Sequence, residues 1–295
     1  MSKLENNNQT PTIMETLKEA AAFLQSHQRE ERVAELLLLY HLGLKKTELL
    51  MKLRESVDPI LYAAFRKDLE EHAKTGIPLQ HLTGEEEFLG RRYYVNHDVL
   101  IPRPETEELV LGMEKMIQER LPGKQLTIAD IGTGSGIIAT SLKLAFPAAN
   151  VIATDISERA LLVAKSNSKT LGASITVKQG SYLEPIHQLE QKVNVLVSNP
   201  PYIDEADKEQ MADTVKDFDP TIALFAEDNG LAAYKEIIQA LPDVLALPAV
   251  VGFEIGWQQG EAVRMLLQKR FHAAEVEVRK DMNGKDRMVF AWIEQ

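Results

Sequence analysis

The stretch Leu126-Thr127-Ile128-Ala129-Asp130-Ile131-Gly132-Thr133-Gly134-Ser135-Gly136 decides the fold. A β-rich run from Leu126 to Ile131 passes directly into three alternate glycines, and a helical stretch, Gly136 to Phe146, follows. A strand that turns through glycines into a helix opens a βαβ unit. The alternation continues downstream. Asn150 to Thr154 reads as a strand, and Glu158 to Leu171 as a helix with Ser157 as its N-cap. Ser174 to Lys178 and Val193 to Ser198 are further strands, Leu231 to Leu247 is helical through Pro242, and Val250 to Ile255, Ala274 to Val278 and Met288 to Ile293 complete the sheet. Parallel strands joined by right-handed crossovers make this a doubly wound α/β domain, with an antiparallel hairpin of the last two strands at its edge.

The glycine loop carries the first chemistry. Its glycines let a ligand approach the backbone, and the helix N-terminus behind it presents unpaired N–H groups to a polar or anionic group. At the end of the next strand, 23 residues after Gly132, stands Asp155, where a carboxylate can accept from both hydroxyls of a ribose. A tight turn with a helix-capping aspartate is the alternative reading. A nicotinamide fingerprint would place the third glycine one residue later than Gly136, and a phosphate-binding P-loop would need Lys then Ser or Thr where Ile137-Ile138 stand. The compressed Gly-x-Gly-x-Gly spacing opened by Asp130 resembles the Rossmann-like S-adenosylmethionine-dependent methyltransferases.

The fourth strand of the domain ends in Ser198-Asn199-Pro200-Pro201-Tyr202. Two prolines hold the chain extended and remove two N–H groups, so the local carbonyls accept without competing donors. The Asn199 side-chain oxygen and the Pro200 carbonyl can accept both hydrogens of a planar –NH2 group while Tyr202 stacks on its face. An amide nitrogen is a weak nucleophile because its lone pair is delocalised. Two acceptors that draw it toward a tetrahedral shape localise that pair toward an incoming methyl. Taken alone, the segment could equally be a rigid strand-to-loop turn.

These residues resemble an amino-methyltransferase, and more narrowly the protein-(glutamine-N5) methyltransferases of peptide-chain release factors. The narrower likeness rests on Pro78-Leu79-Gln80 with Gly84, on Phe88 and Gly90, and on Asn96 with Val99 through Glu107. It continues through Asn199 to Ile203, Asp217 to Pro220 with Ala223-Leu224, Glu254-Ile255-Gly256, Lys280-Asp281, Gly284 and Asp286-Arg287. The resemblance implies an N-terminal helical domain that helps hold the release factor, and a catalytic domain that methylates the glutamine of its Gly-Gly-Gln tripeptide in translation termination. It implies that Gly132, Thr133, Gly134, Ser135, Gly136 and Asp155 hold S-adenosylmethionine, with Tyr182 packed near the adenine. Asn199 would lie between cofactor and substrate; read from the residues themselves, Asn199, Pro200 and Tyr202 are the catalytic candidates and Asn199, Pro200, Pro201, Tyr202 and Arg103 the substrate-binding ones. The chain departs from the pattern at Ser181, where Asp is frequent, and at Asn229-Gly230-Leu231, where Asp-Gly-Leu is usual.

Upstream of the α/β domain, apolar residues recur at helical spacing: Leu17, Ala21 and Leu24, then Val33, Leu36, Leu37 and Tyr40, then Leu61, Ala64 and Phe65. Breaks at Leu42-Gly43-Leu44, Asp58-Pro59 and Gly76-Ile77-Pro78 divide four or five helices. The expected domains are therefore a helical bundle over 1–85, a hairpin connector over 86–104 turning at Gly90, and the methyltransferase domain over 105–295. Arg103 with Glu105 reads either as a salt-bridged turn or as a substrate contact.

Composition narrows the alternatives. The chain of 295 residues carries 33 basic and 44 acidic residues, a net charge of −11, so nucleic acid is a poor partner for it. Residues 1–85 hold 11 basic and 13 acidic residues, a net of −2, which leaves −9 for the rest. The run Asp204 to Asp219, with seven acidic residues and two lysines, could steer a basic protein substrate. With no cysteine, disulfides, zinc–thiolate sites and thiol nucleophiles are excluded, and seven histidines without ligand spacing point to no metal. No signal peptide or membrane span is legible, so a cytoplasmic monomer is expected. Two other functions compete: methylation of exocyclic amines on DNA or RNA, or of another protein such as a ribosomal protein, and a cofactor-binding regulator without catalysis.

Overall fold

The computed structural model describes residues 10–206 and 216–295, in two compact units, 1–84 and 85–295. The first unit contains α1 (Ile13–Ser26), α2 (Arg32–Leu42), α3 (Lys46–Met51), α4 (Pro59–Thr75) and α5 (Leu79–Thr83). Thr12 and Glu15 form a capping box on α1, Asp58 caps α4 ahead of Pro59 at its first position, and Gly43 and Gly76 end α2 and α4. Leu24, Leu37 and Phe65 enter the core as expected. Tyr40 is 43% exposed and Ala64 is exposed, because the buried stripes run through Ala34, Leu37 and Leu38 on α2 and Phe65, Leu69 and Ala73 on α4.

The second unit opens with a hairpin, β1 (Glu85–Phe88) and β2 (Arg91–Tyr94), whose two-residue turn is Leu89-Gly90. The hairpin belongs to this unit and is fastened to it. Asn167 accepts from Tyr94 N (2.8 Å) and donates to both Tyr94 O and Ser135 O (2.9 Å each). Then follow α6 (Pro104–Arg120), β3 (Thr127–Ile131), α7 (Ile137–Ala145), β4 (Asn150–Asp155), α8 (Glu158–Thr170), β5 (Thr176–Gln179), α9 (Glu184–Gln188) and β6 (Val193–Ser198). The chain closes with α10 (Ala232–Val244), β7 (Leu245–Glu254), α11 (Gly260–Arg270), β8 (Glu275–Lys280) and β9 (Asp286–Ile293).

The seven strands order as β5-β4-β3-β6-β7-β9-β8, with β3 to β7 parallel and β9 antiparallel to both neighbours. The sheet is doubly wound, as the sequence implies. Successive residues alternate between its faces: Ile128, Val195, Val197, Val250 and Phe290 pack with α6 and α7, while Ala129, Leu196, Val251, Phe253 and Val289 pack with α9, α10 and α11. The terminal hairpin forms, but β9 inserts beside β7 and leaves β8 as the edge. The expected helix to Leu247 stops at Val244, since the residue before Pro248 is confined to extended backbone and Leu245 already pairs with Val193. Among the described residues, no helix is long and apolar enough to cross a membrane.

Candidate active site

β3, flanked by β4 and β6, sets the site at the carboxyl ends of the central strands, where doubly wound sheets bind ligands. The glycine loop caps β3. Asp130, fully buried, accepts from the Thr133 hydroxyl at 2.5 Å and from Ala139 N at 3.0 Å, tying the loop to the first turn of α7. Burial pushes its carboxyl up to about 7, against the two hydrogen bonds that favour the charged form. Asp130 braces the loop and is not among the residues that line the cleft. Gly136 caps α7 at φ 79°, and a Cβ there would stand 2.8 Å from the Ala164 backbone, so only glycine fits between the helices.

The cleft over the loop has an internal volume of about 210 Å³ and opens to solvent. Gly132, Thr133, Gly134 and Ser135 form its floor, with Asp155 and Tyr182 from the neighbouring strand ends and Asn199, Pro201 and Arg103 also in its wall. Asp155 Oδ2 accepts from Gly134 N and Oδ1 from Ser157 N, both at 2.9 Å, so the same carboxylate shapes the loop and faces the cleft. Burial raises its pKa, and these backbone bonds lower it. Tyr182 sits at φ 42°, held by the Thr154 hydroxyl donating to its carbonyl at 3.2 Å. Ser181 also lines the cleft, at the position where the resemblance leads one to look for Asp.

The Asn-Pro-Pro-Tyr segment is placed unevenly. Asn199 and Pro201 line the cleft; Pro200 is buried, and Tyr202 packs on the core face shared with α10 and α11. The Tyr202 hydroxyl donates to Glu254 at 3.4 Å and its carbonyl accepts from Gln259 Nε2 at 2.9 Å, so the ring supports the loop from the core instead of stacking in the cleft. Gly230 presses on the same carbonyl. At φ 76°, with the space of a Cβ only 2.1 Å from Tyr202 O, it admits no side chain, and Asp228 and Asn229 before it share the left-handed conformation. Asn tolerates that conformation as Asp does, which accounts for Asn229-Gly230-Leu231.

Arg103 does not pair with Glu105. Its Nη2 donates to Asp219 Oδ2 at 2.8 Å, and Asp219, whose side chain is 1% exposed, also accepts from Ile101 N. Burial raises the Asp219 pKa and the Arg103 charge lowers it. The acidic run is thus partly structural at its end, while its residues 207–215 lie outside the described residues.

Sequence reasoning gave no role to two residues beside Asn199. Thr106, in the first turn of α6, and Glu254, ending β7, are buried and hydrogen-bonded to each other at 2.6 Å. Burial pushes Glu254 up to about 7; the Thr106 bond, Arg287 and Tyr202 act downward and Glu105 upward. The signal was present as a lone carboxylate ending the apolar run Val250 to Phe253.

Comparison with known proteins gives this site its context. The family described as PrmC N-terminal domain matches residues 15–84, and that described as Methyltransferase small domain matches residues 111–218. Proteins named release factor glutamine methyltransferase are 45% identical in Bacillus anthracis (96% of this chain, 99% of that one) and 44% identical in Bacillus subtilis (96% and 98%). The protein of that name in Staphylococcus aureus is 39% identical over 94% of this chain and 98% of its own. Among solved structures, the catalytic domain of hMettl16 in complex with a MAT2A RNA hairpin superposes with a TM-score of 0.53 over 81% of this chain and 83% of that one. At 15% identity it shows a shared fold.

Proposed function

The chain belongs to the release factor glutamine methyltransferases, and from that premise we propose that it methylates the N5 amide nitrogen of the glutamine in the Gly-Gly-Gln tripeptide of peptide-chain release factors, using S-adenosylmethionine. One observation carries the reading: the glycine loop, Asp155 and Asn199 line a single cleft.

The residues fit the cofactor. The positions a Cβ would take on Gly132 and Gly134 have no protein atom within 4 Å, which leaves the loop open to a ligand lying across it. Asp155 keeps unused acceptor capacity on each oxygen for ribose hydroxyls. The apolar Ile137, Ile156 and Ala160 and the Tyr182 ring suit an adenosine. When bound, S-adenosylmethionine would supply a methyl group made electrophilic by its sulfonium, the carbon–sulfur bond breaking to leave the neutral thioether S-adenosylhomocysteine.

Toward the substrate, Asn199 Oδ1 and the Pro200 carbonyl accept from the glutamine –NH2 and draw the nitrogen lone pair out of conjugation. They hold the nitrogen where it can attack. Loss of one proton restores a neutral amide, so no general base is needed. Arg103, fixed by Asp219, is assigned to the substrate side of the cleft, and the helical first unit to holding the release factor.

The test incubates the protein with labelled S-adenosylmethionine and, separately, release factor, DNA and RNA. Label on the release-factor glutamine is expected, and label on nucleic acid alone would move the assignment to exocyclic amines. In single-turnover methylation, Asn199→Ala should fall by about a hundredfold or more, the scale of removing a preorganised transition-state hydrogen bond, with cofactor affinity nearly kept. Asn199→Asp, with two acceptor oxygens, should retain more. Near-normal turnover in the alanine variant removes the acceptor role.

A further inference from the structure

Asn199 is the end of a directed line of hydrogen bonds. Its Nδ2 donates to Thr106 Oγ1 at 3.2 Å, and the Thr106 hydroxyl donates to Glu254 Oε2 at 2.6 Å. Glu254 Oε1 accepts from the Tyr202 hydroxyl at 3.4 Å, and the Glu254 main-chain oxygen accepts from the Tyr234 hydroxyl at 2.8 Å. Thr106 is 2% exposed and Glu254 1%, so water does not compete for either.

The donor–acceptor inventory fixes the direction of this line. Ionised, as it becomes when pH rises through about 7, Glu254 only accepts, so Thr106 gives its single proton to Glu254, and its oxygen then has only lone pairs to offer Asn199. The amide answers with its nitrogen, which leaves Oδ1 as the atom for the cleft. Without the carboxylate the Thr106 proton is free to turn toward Asn199. The amide then gains by flipping, and a flipped amide presents a donor where the substrate –NH2 needs an acceptor.

We propose that Thr106 and Glu254 are positioning residues that set the polarity of the Asn199 amide, so that its oxygen meets the substrate nitrogen; this rests on the acceptor role given to Asn199 above. Glu254 lies outside the cleft lining, and Thr106, 2% exposed at its wall, has its hydroxyl engaged with Asn199 and Glu254. The energetic lever is the orientation of one half-buried amide between two states that differ in which end faces the substrate.

The experiment uses the full chain, four single variants beside Asn199→Ala, and one double variant. Thr106→Val keeps the shape and removes the acceptor, and Glu254→Met keeps the bulk and removes the carboxylate. Thr106→Ser and Glu254→Gln preserve an O–H donor and an acceptor facing each other. Single-turnover methylation of a release factor, KM for it, calorimetric cofactor affinity and melting temperature are read on the same samples at about pH 8.5, where Glu254 is ionised. Thr106→Val and Glu254→Met should lose about tenfold or more in turnover, with KM and cofactor affinity within about threefold, while the Ser and Gln variants stay within about threefold of the parent. Thr106→Val added to Asn199→Ala should cost nothing further, because the amide it orients is gone. Either the Val or the Met variant suffices if the other does not fold.

Parental turnover in a folded Val or Met variant, with Asn199→Ala inactive, overturns the positioning role and leaves the acceptor role standing. A further tenfold loss in the double variant also overturns it, since Thr106 would then act by another route. Parental turnover in Asn199→Ala overturns both readings together.

Discussion

Asp155 holds the glycine loop and, in the reading proposed above, also accepts from the ribose of the cofactor. Each of its oxygens already accepts one backbone N–H, from Gly134 and Ser157, and each retains a lone pair toward the cleft. Asp155→Ala should weaken S-adenosylmethionine binding by about 1–3 kcal/mol, the scale of hydrogen bonds to a charged acceptor. Asp155→Asn, which keeps one accepting oxygen, should fall between. Unchanged affinity by calorimetry removes the ribose role. At this scale the sequence was informative where chemistry is local: a glycine loop, an aspartate at a strand end and Asn199 before two prolines can each be read without knowing their neighbours. Thr106 and Glu254 could not be read in that way, because 148 positions separate them and their meaning lies in a proton shared across that gap. Tyr202 misleads for the same reason. A tyrosine beside an active-site asparagine reads as a stacking ring until its hydroxyl is seen to reach Glu254.

The loop as an element depends on Asp130, which joins the end of β3 to Thr133 and the start of α7. Its Oδ1 is buried without a hydrogen-bond partner, so the ionised form is poorly compensated. The folded-state pKa of about 7 lies above the ordinary 3.8, so the folded protein binds a proton over that window and the unfolded chain does not. The stabilisation is complete below the lower value and is lost as pH rises through about 7. Glu254, raised from 4.5 to about 7, acts in the same direction. Asp130→Asn keeps the accepting oxygen. Denaturant unfolding of the second unit should therefore show the parent losing on the order of 2–4 kcal/mol relative to the variant between about pH 5 and about pH 8. Parallel pH profiles would show that Asp130 does not titrate in this window. Among the other elements, buried parallel strands were plain: β6 runs from Val193 to Ser198, where an unbroken apolar run places it. α6 is hard to read in the sequence although Pro104 and Glu105 mark its start, because its charged outer face and Gly112 blur the period. The position of β9 inside the sheet, beside β7, is a matter of strand pairing that sequence order does not encode.

In the whole molecule, the division of labour proposed above can be tested by separating the two units. The first unit has its own core, from Ile13 through Ala73, and the described residues that line the cleft, from Asp98 to Ala223, belong to the second. The second unit has a core on each face of its sheet and also holds the hairpin, so a cut after Gly84 divides no element. Removing residues 1–84 should thus leave S-adenosylmethionine affinity within about threefold, since binding draws only on groups that remain. Catalytic efficiency on an intact release factor should drop by about tenfold or more, chiefly through KM, because a second point of attachment raises the local concentration of the glutamine at the cleft. A short peptide carrying that glutamine distinguishes attachment from damage to the site. Too small to engage a separate helical unit, it should be methylated equally well by the full chain and the truncated one. If the truncated protein instead methylates the intact factor as efficiently as the full chain, the helical unit does not hold substrate. If it fails on the peptide as well, the unit shapes the catalytic cleft.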